Sequence, residues 1–390
     1  MYLKKNRMNH DVSLTELTRY LQSQTPGFVN TSPFPPSPPS NELVATLFKR
    51  QLALNSPAAS FLQQRGLPSK EIQTLTQIPP VPVTAFKQLE LTTVLPSERV
   101  TVFHSSGTTG QAPSRHYHSA ATLQIYELAA QAWFKHRMLG DFPWAWQRRL
   151  PAEDERLLMV SLTPPPREVP HSSLAFMIGT FIREFGTTDS SFVGTSGVEG
   201  WQIDFAQAFK VLHSAQKAGP VVVFGTAFNF VHLADELERR GIYLQLPPGS
   251  RVMETGGYKG RSRTIPKKDL HDLIRARLGV TRGRIVCEYG MAELASQAYD
   301  IDLTNPLSES KQRRLQFPPW CHPSVVSPEN GQEVPVGQPG LLRVTDLANV
   351  ASVLSIQTED LAVRHEDGII LLGRAVQSEP RGCSLLAVEN

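Results

Sequence analysis

The chain carries the run Pro-Val-Val-Val-Phe at residues 220–224, in which no position is polar. A strand that is covered on one face alternates polar and apolar residues, whereas a parallel strand covered on both faces reads as a continuous apolar run. This run stops at Gly225 and Thr226, and a helical pattern follows that ends in two arginines and Gly241. Cations and a glycine are favoured at the C-terminal end of a helix. The segment therefore predicts a buried parallel strand followed by a helix.

A second segment has the same two elements in the opposite order. Leucine and isoleucine recur with helical spacing up to Gly279, and an apolar strand pattern follows at residues 284–288. Alternating strands and helices predict an α/β fold with a parallel sheet. In open sheets of this kind, ligands bind where loops leave the carboxyl ends of the strands. We therefore predict that residues 225–228 and 289–293 line one crevice.

The first 40 residues differ from the rest of the chain. Ser13 and Glu16 have capping-box spacing, which predicts that a helix begins near Ser13. Residues 32–40 contain five prolines, which fix φ and remove backbone donors, so this stretch predicts a stiff linker. We therefore divide the chain into an N-terminal helix with a proline-rich linker, residues 1–40, and one larger domain, residues 41–390.

Charge and hydropathy exclude several classes of protein. The chain has 39 Lys and Arg against 36 Asp and Glu, a net charge of +3, which lacks the basic excess of a nucleic-acid binder. No segment approaches the roughly 20 apolar residues of a membrane span. Polar residues 9–11 follow the basic amino terminus where a signal peptide needs an apolar run. We expect a cytoplasmic protein with no nucleic-acid partner and no membrane span.

The cysteines favour reduced thiols. The chain has three of them, Cys287, Cys321 and Cys383, and no two are spaced as C-x-x-C. An odd number of separated cysteines in a chain of this size is not typical of a disulfide framework or of structural zinc. We therefore expect all three cysteines to be reduced thiols.

A run of hydroxyl residues and glycines, SSGTTG, occupies residues 105–110 and follows the apolar pair Val102 and Phe103. This pattern predicts a strand and then a loop with exposed backbone N–H groups, and such a loop can bind phosphate. The lysine and the spacing of a Walker A motif are absent. Taken alone, this composition is more typical of a flexible loop than of an anion site, so the assignment depends on other motifs.

Three later motifs give the run its context. They are YGMAE at residues 289–293, TED at residues 358–360, and the pair Gly373 and Arg374. In this order, the four motifs resemble those of the adenylate-forming enzymes, the superfamily of acyl-CoA ligases, luciferases and peptide-synthetase adenylation domains. Ala292 departs from the threonine that is usual in the second motif. A set of four in the right order is far more specific than any one of them.

A closer resemblance covers about residues 75–390. The segments TGGYKG at residues 255–260, YGMAELASQ at 289–297 and RGCSL at 381–385 resemble the acyl-protein synthetases of bacterial luminescence. The resemblance implies an α/β fold equivalent to the large N-terminal domain of adenylate-forming enzymes, with parallel-sheet subdomains and a small β-rich part. The chain ends 16 residues after Arg374, so we expect it to lack the mobile C-terminal domain of the larger ligases.

The resemblance also implies an activity. A synthetase of this family would use ATP and Mg²⁺ to activate a fatty acid as an acyl-adenylate and would transfer the acyl group to a cysteine thiol of the protein itself. The acyl group would then pass to an acyl-reductase or another acyl-acceptor protein. The larger domain, residues 41–390, would on this view be an adenylate-forming domain that ends in an acyl-acceptor tail.

The resemblance assigns roles to individual residues. Ten would bind the nucleotide: Ser106, Gly107, Thr108, Thr109, Gly110, Gly256, Gly257, Tyr289, Gly290 and Asp360. Glu293 would act in catalysis by holding Mg²⁺ through a hard carboxylate oxygen, and Arg374 would act at the hinge. Structural explanations exist for each of these residues, since a glutamate is also favoured at the start of a helix and an aspartate in a turn.

Cys383 is the predicted acyl acceptor. By resemblance it is the cysteine of the C-terminal motif, and a tail thiol beside the cationic Arg381 would form a thiolate and could reach a bound adenylate. The structural alternative is a small apolar residue packed beside Leu385. If the thiol is incidental, the chain would be an acyl- or aryl-CoA ligase or a carrier-protein ligase. A third alternative is a non-catalytic homologue that binds a nucleotide or an acyl ligand.

Overall fold

A computed structural model describes residues 2–24, 38–66, 72–105, 112–198, 200–217, 219–256, 265–301, 303 and 312–375, with side chains from residue 12 onward. The chain forms two units, each built from separate stretches of sequence. Unit 1 comprises Met1–Lys135, Met291–Gln297 and Phe317–Leu371, and unit 2 comprises His136–Gly290, Ala298–Gln316 and Leu372–Asn390. The YGMAE motif is therefore divided between the units after Gly290.

Ten α-helices occur within the described ranges. They are α1 (Tyr2–Ser23), α2 (Asn41–Leu54), α3 (Ser56–Gln64), α4 (Ala85–Gln88), α5 (Ala120–Met138), α6 (Trp144–Gln147), α7 (Ser173–Phe185), α8 (Phe205–Ala215), α9 (Ala227–Arg239) and α10 (Lys267–Leu278). Short 3-10 helices occupy Leu75–Gln77, Pro96–Glu98, Glu153–Glu155 and Arg282–Arg284. None of the helices in the described part of the chain combines the length and the apolar character that crossing a membrane requires.

The same ranges contain fifteen strands. They are β1 (Val81–Pro82), β2 (Thr101–His104), β3 (Arg115–His118), β4 (Leu158–Ser161), β5 (Ser191–Phe192), β6 (Gly194–Gly197), β7 (Gly200–Ile203), β8 (Val221–Thr226), β9 (Arg251–Thr255), β10 (Ile285–Tyr289), β11 (Ala298–Tyr299), β12 (Cys321–Val326), β13 (Pro339–Asp346), β14 (Ser355–His365) and β15 (Gly368–Arg374).

Unit 2 is built on a six-stranded sheet with the order β11-β10-β9-β8-β4-β5. All its pairings are parallel except that of β10 with β11, an antiparallel strand at the edge. Every residue of β8 is buried, and α9 follows it directly, as predicted. Helix α10 ends at Gly279, whose φ of 70° is the left-handed conformation that favours glycine at a helix end. The predicted strand and helix units are thus confirmed.

Unit 1 contains the β-rich part of the fold. Its five-stranded sheet has the order β1-β14-β13-β12, with β15 also paired to β14. Strands β12, β13 and β14 pair antiparallel, whereas the short β1 pairs parallel to β14. A separate hairpin joins β2 and β3. A parallel sheet in one unit and a smaller β-rich sheet in the other confirm the predicted α/β organisation.

The prediction that a helix begins near Ser13 is wrong. Helix α1 begins at Tyr2 and continues through Ser13, which is buried inside it at 1% exposure. No proline or glycine between these two positions interrupts the helix. The helix packs on α2 within unit 1, with Leu17 and Leu21 fully buried. Most of the proline-rich stretch lies outside the described residues, and the division of the chain at residue 40 stays a prediction.

Candidate active site

The carboxyl ends of three neighbouring strands of unit 2 carry polar side chains at matching positions. Thr226 of β8 pairs in register with Thr255 of β9, which pairs with Glu288 of β10. Gly256 comes directly after β9, and Tyr289 is the last residue of β10. The structure therefore brings these two predicted nucleotide-binding residues to the carboxyl ends of neighbouring strands. Tyr289 is buried there, at 6% exposure.

The turn from β8 into α9 is held by a reciprocal cap. The Thr226 hydroxyl accepts from the Asn229 backbone N–H at 3.2 Å and donates to Asn229 Oδ1 at 2.7 Å. The same Asn229 oxygen accepts the Thr226 backbone N–H at 3.0 Å. Because these bonds satisfy donors at the start of the helix, the edge of the sheet is followed by a fixed turn.

Glu288 is a buried acid that the motif analysis did not identify. Burial raises its pKa to about 7, with a further rise from the neighbouring Glu254 and a decrease from a hydrogen bond with Thr255. It lies directly before Tyr289 at the same edge of the sheet. A carboxyl with this pKa changes its charge near neutral pH, which makes this edge sensitive to pH.

A network of buried and half-buried ionisable side chains lies at the start of α10. Lys267 Nζ lies 3.1 Å from Asp300 Oδ2 and 3.7 Å from Glu254 Oε1. His271 Nε2 lies 3.2 Å from Glu254 Oε1, and Arg313 pairs with Asp300 at 3.2 Å. Burial alone would raise the pKa of Asp300, but the two cations lower it. The network therefore links Glu254 of β9 to the first turns of α10.

In unit 1, Glu293 is buried and hydrogen-bonded at its carboxylate. It is 3% exposed, and the hydroxyl of Ser114, itself 1% exposed, donates to its Oε1 at 2.5 Å. Ser114 directly precedes β3, whose buried residues alternate with more exposed ones. Because successive side chains of a strand point to opposite faces, the neighbouring Arg115 is exposed on the other face. The structure therefore places Ser114 beside the predicted metal ligand.

The backbone around Glu293 is bound on both sides. His116 Nδ1 lies 2.8 Å from the carbonyl oxygen of Ala292. Since a carbonyl can only accept, this ring nitrogen carries the proton and donates. Burial lowers the pKa of His116 to about 4, although this hydrogen bond raises it, so the ring is neutral at pH 7. On the other side, Asn349 Nδ2 donates to the carbonyl oxygens of Glu293 and Val353, both at 2.8 Å.

The residues after Glu293 are anchored by a buried carboxylate at the end of β13. Asp346 Oδ2 accepts the Ala295 backbone N–H at 3.1 Å, and its Oδ1 accepts the Ser296 hydroxyl at 2.8 Å and the Ala348 backbone N–H at 2.9 Å. Trp320 Nε1 donates to the Ser296 hydroxyl at 2.9 Å. Together with Ser114, His116 and Asn349, these contacts fix the segment Met291–Gln297 inside unit 1.

The ends of the predicted phosphate loop are joined to each other. The Ser114 backbone N–H donates to Ser105 Oγ at 3.0 Å, and the Ser105 backbone N–H donates to the Ser114 carbonyl at 3.3 Å. The loop therefore connects the two strands of the β2–β3 hairpin, and Ser114 stands at its base. Its five predicted phosphate-binding residues, Ser106, Gly107, Thr108, Thr109 and Gly110, lie outside the described residues.

The remaining predicted residues fall in several places. Asp360 lies within β14 of unit 1 at 6% exposure, and its backbone N–H donates to Thr358 Oγ1 at 3.1 Å. Arg374 is the last residue of β15 and is half-buried. Gly257 and Cys383 lie outside the described residues. The roles of all these residues stay predictions.

The donor set around Glu293 fits Mg²⁺ that is shared with a nucleotide. Mg²⁺ is usually bound by one or two carboxylates together with substrate phosphates and water. Across the described ranges, no group of three or more His, Cys, Asp and Glu side chains is arranged to hold a metal by itself. One hard carboxylate beside the base of a predicted phosphate loop therefore matches a metal–nucleotide site better than a metal site made only of protein ligands.

Motif analysis missed Ser114, His116 and Asn349. The alternation Ser114-x-His116-x-His118 was a usable signal, because polar residues at every second position after a loop indicate one face of a short strand. Asn349 gave no such signal, since asparagine is common in turns.

Solved structures show the same fold in an adenylate-forming ligase. 2-Hydroxyisobutyryl-CoA ligase, in an open conformation with 2-HIB-AMP and CoA, matches 86% of this chain and 74% of its own with a TM-score of 0.61 at 15% identity. The same ligase in the postadenylation state with 2-HIB-AMP matches 83% of this chain and 63% of its own, with a TM-score of 0.59 at 14% identity. The chain thus spans less than two thirds of the second structure. These matches confirm the predicted adenylate-forming fold.

Sequence comparisons identify the family. The long-chain-fatty-acid–luciferin-component ligase of Aliivibrio fischeri is 20% identical over 300 residues, which cover 76% of this chain and 72% of the relative. The model of the family described as "Acyl-protein synthetase, LuxE" matches residues 59–390. The chain therefore belongs to the LuxE family of acyl-protein synthetases, which confirms the predicted family and the predicted class of enzyme, an acyl-protein ligase.

Proposed function

We propose that this protein uses Mg²⁺ and ATP to activate a long-chain fatty acid in the cytoplasm and transfers the acyl group first to its own Cys383. The observation that carries the proposal is the buried Glu293 carboxylate, held by Ser114 at the base of the Ser/Thr/Gly loop in a member of the LuxE family. The name of the Aliivibrio fischeri relative supports a long-chain fatty acid as the substrate.

The first half-reaction makes the carboxylate of the acid reactive. A carboxylate oxygen attacks the α-phosphorus of ATP, the bond from that phosphorus to the α,β-bridging oxygen breaks, and pyrophosphate leaves. The products are the acyl-adenylate and pyrophosphate, with no proton required. Because negative charge is concentrated on phosphoryl oxygens in the transition state, catalysis needs positioned donors and positive charge more than covalent chemistry by the protein.

The residues of the chain divide this work. Backbone and hydroxyl donors of residues 106–110 bind the phosphates, Tyr289 and Gly256 hold the adenine at the edge of the parallel sheet, and Asp360 accepts from the ribose hydroxyls. Arg374 at the end of β15 acts at the hinge. Glu293 holds Mg²⁺, which supplies positive charge to the phosphoryl oxygens when it is bound.

The second half-reaction uses a thiolate. Cys383 loses its proton to solvent water, the thiolate sulfur attacks the acyl carbonyl carbon, and the bond from that carbon to the phosphate oxygen breaks, so that AMP leaves as the thioester forms. Burial raises the pKa of both Cys287 and Cys321 thiols well above the ordinary value, which makes either a poor nucleophile and favours the tail cysteine. The acyl group then passes to a second protein, an acyl-reductase or another acyl acceptor.

The test is acylation of the purified protein. The wild type, Cys383→Ser and the matched control Cys287→Ser are incubated with Mg·ATP and radiolabelled fatty acids of several lengths. We expect label that hydroxylamine releases from the wild type and the control, and none on Cys383→Ser, which should still release pyrophosphate. Label that persists on Cys383→Ser would indicate that another residue accepts the acyl group. Acid-dependent pyrophosphate release with unlabelled protein and CoA-dependent AMP release would indicate a CoA ligase instead, and no pyrophosphate release with any acid would indicate a non-catalytic homologue.

A further inference from the structure

Ser114 takes part in two different connections. Its backbone exchanges two hydrogen bonds with Ser105 and so closes the base of the loop at residues 106–111. Its side chain donates a 2.5 Å hydrogen bond to Glu293 Oε1, across 179 positions in the sequence. The same residue thus contacts both Ser105, which precedes the predicted phosphate-binding residues, and the carboxylate that is expected to bind the metal.

We propose that Ser114 is a positioning residue that orients the metal-binding carboxylate of Glu293. The inference rests on the proposed function, because it assigns Glu293 to Mg²⁺. Since a carboxylate has about four lone-pair sites, the bond from Ser114 fixes the orientation of Glu293 and still leaves acceptor capacity for a cation. The Ser114 hydroxyl therefore contributes to the orientation in which the carboxylate meets a cation.

The burial of both partners makes the contact energetically significant. Ser114 is 1% exposed and Glu293 is 3% exposed, so water cannot readily replace the hydroxyl if it is removed. A short O–H bond to a charged oxygen is among the stronger hydrogen bonds in proteins. Residues that orient a metal ligand typically change metal affinity by 10- to 100-fold when they are mutated. We expect the loss of this hydroxyl to lie near the lower end of that range.

A positioning role and a purely structural role predict different binding data. If Ser114 orients the metal ligand, its removal weakens binding of a metal–nucleotide complex and leaves binding of the metal-free nucleotide nearly unchanged. If the hydroxyl only stabilises the fold, both forms weaken together. Binding is therefore measured with AMPCPP, which the enzyme cannot cleave between the α- and β-phosphates, once with Mn²⁺ and once with EDTA.

For Ser114→Ala we expect the dissociation constant of Mn·AMPCPP to rise about tenfold and that of AMPCPP in EDTA to change less than about twofold. Ser355→Ala is the matched control, because Ser355 is also 1% exposed and its hydroxyl bonds another side chain, Thr345, at 2.9 Å. The control should bind both forms as the wild type does. Glu293→Ala should lower metal-dependent affinity more, and adding Ser114→Ala to it should have no further effect.

The outcomes separate the inference from the function on which it rests. If the wild type binds AMPCPP no better with Mn²⁺ than in EDTA, the metal role of Glu293 is wrong and the role of Ser114 falls with it. A second outcome is that the wild type shows the metal dependence while Ser114→Ala either retains it in full or binds Mn·AMPCPP and metal-free AMPCPP more weakly by the same factor. In either case the metal role of Glu293 stands and the proposed role of Ser114 is wrong. Additive effects of Ser114→Ala and Glu293→Ala would also overturn it.

Discussion

Replacing Asp346 by asparagine tests whether the segment that carries Glu293 is held in place by a carboxylate. Asp346 is fully buried, and both of its oxygens accept: Oδ1 from the Ser296 hydroxyl and the Ala348 N–H, and Oδ2 from the Ala295 N–H. Asparagine has the same shape but only one accepting oxygen. In either orientation, its amide N–H₂ must face at least one donor.

The magnitude follows from the better of the two orientations. The amide oxygen replaces Oδ1 and keeps two hydrogen bonds, while the amide nitrogen faces the Ala295 N–H, which was bonded at 3.1 Å. A buried donor left without a partner costs about 1–3 kcal/mol, and the two retained bonds lose the contribution of the negative charge. Burial raises the pKa of Asp346, which means that the charge carries a desolvation cost that the amide avoids. The net loss in free energy of unfolding is therefore about 2 kcal/mol at pH 8.

Unfolding in urea is monitored by tryptophan fluorescence, because Trp320 donates a hydrogen bond to Ser296 in this segment. The matched control is Asp204→Asn at the N-terminal cap of α8, where one oxygen accepts the Gln207 N–H. Asparagine caps a helix as well as aspartate does, so we expect a change below about 0.5 kcal/mol there. If Asp346→Asn is as stable as this control, the carboxylate does not anchor the segment.

Two further predictions concern unit 2. Because burial raises the pKa of Glu288 from 4.5 to about 7, its contribution to stability is complete below about pH 4.5 and is lost as the pH rises through about 7. Between pH 4.5 and 8, the wild type should lose roughly 3 kcal/mol more of its free energy of unfolding than Glu288→Gln, and equal pH dependences in urea unfolding would contradict this. Asp141 forms ion pairs with both Arg251 and Arg284. Arg251→Met removes the first of these pairs and should lower the free energy of unfolding by about 3 kcal/mol. Arg239, whose side chain is 67% exposed, is the control, and Arg239→Met should leave the free energy of unfolding close to the wild-type value. Similar losses for both variants would refute the argument.

Local sequence patterns predicted the elements of unit 2 because the relevant information lies within each element. The run at residues 220–224 has no polar position, and it forms the fully buried β8. Gly279 ends α10 in the left-handed conformation, at a φ of 70°, which glycine adopts more readily than other residues. This preference belongs to one residue and can therefore be predicted from the sequence. The start of α1 was misjudged because a serine with a glutamate three positions later fits a helix interior as well as its beginning. Ser13 is buried in such an interior.

The contacts of the candidate site could not be read from local patterns. Glu293 and Asp360 stand in recognisable motifs, but the groups that hold Glu293 come from other parts of the chain. Ser114 is 179 positions away and Asn349 is 56 positions away. Serine and asparagine are common surface residues, and their spacing in the sequence gives no indication of a pairing in space. The alternation at residues 114–118 indicates a strand face, but only the tertiary contacts show that Ser114 and Asn349 both bind Glu293.

The division of unit 1 among separate stretches of sequence determines the order in which the protein can fold during synthesis. Strands β4, β5, β8, β9 and β10 of unit 2 are complete once residue 289 has been made. By contrast, Gln51 accepts the Leu354 N–H across 303 positions, and Arg50 donates to the Val350 carbonyl across 300. Contacts between such distant residues form late, because the intervening chain must first exist and then close a long loop. The segment with Glu293 acquires Asp346 and Asn349 only after β13 has emerged from the ribosome, so the N-terminal helices must wait for most of the chain before their own unit is complete.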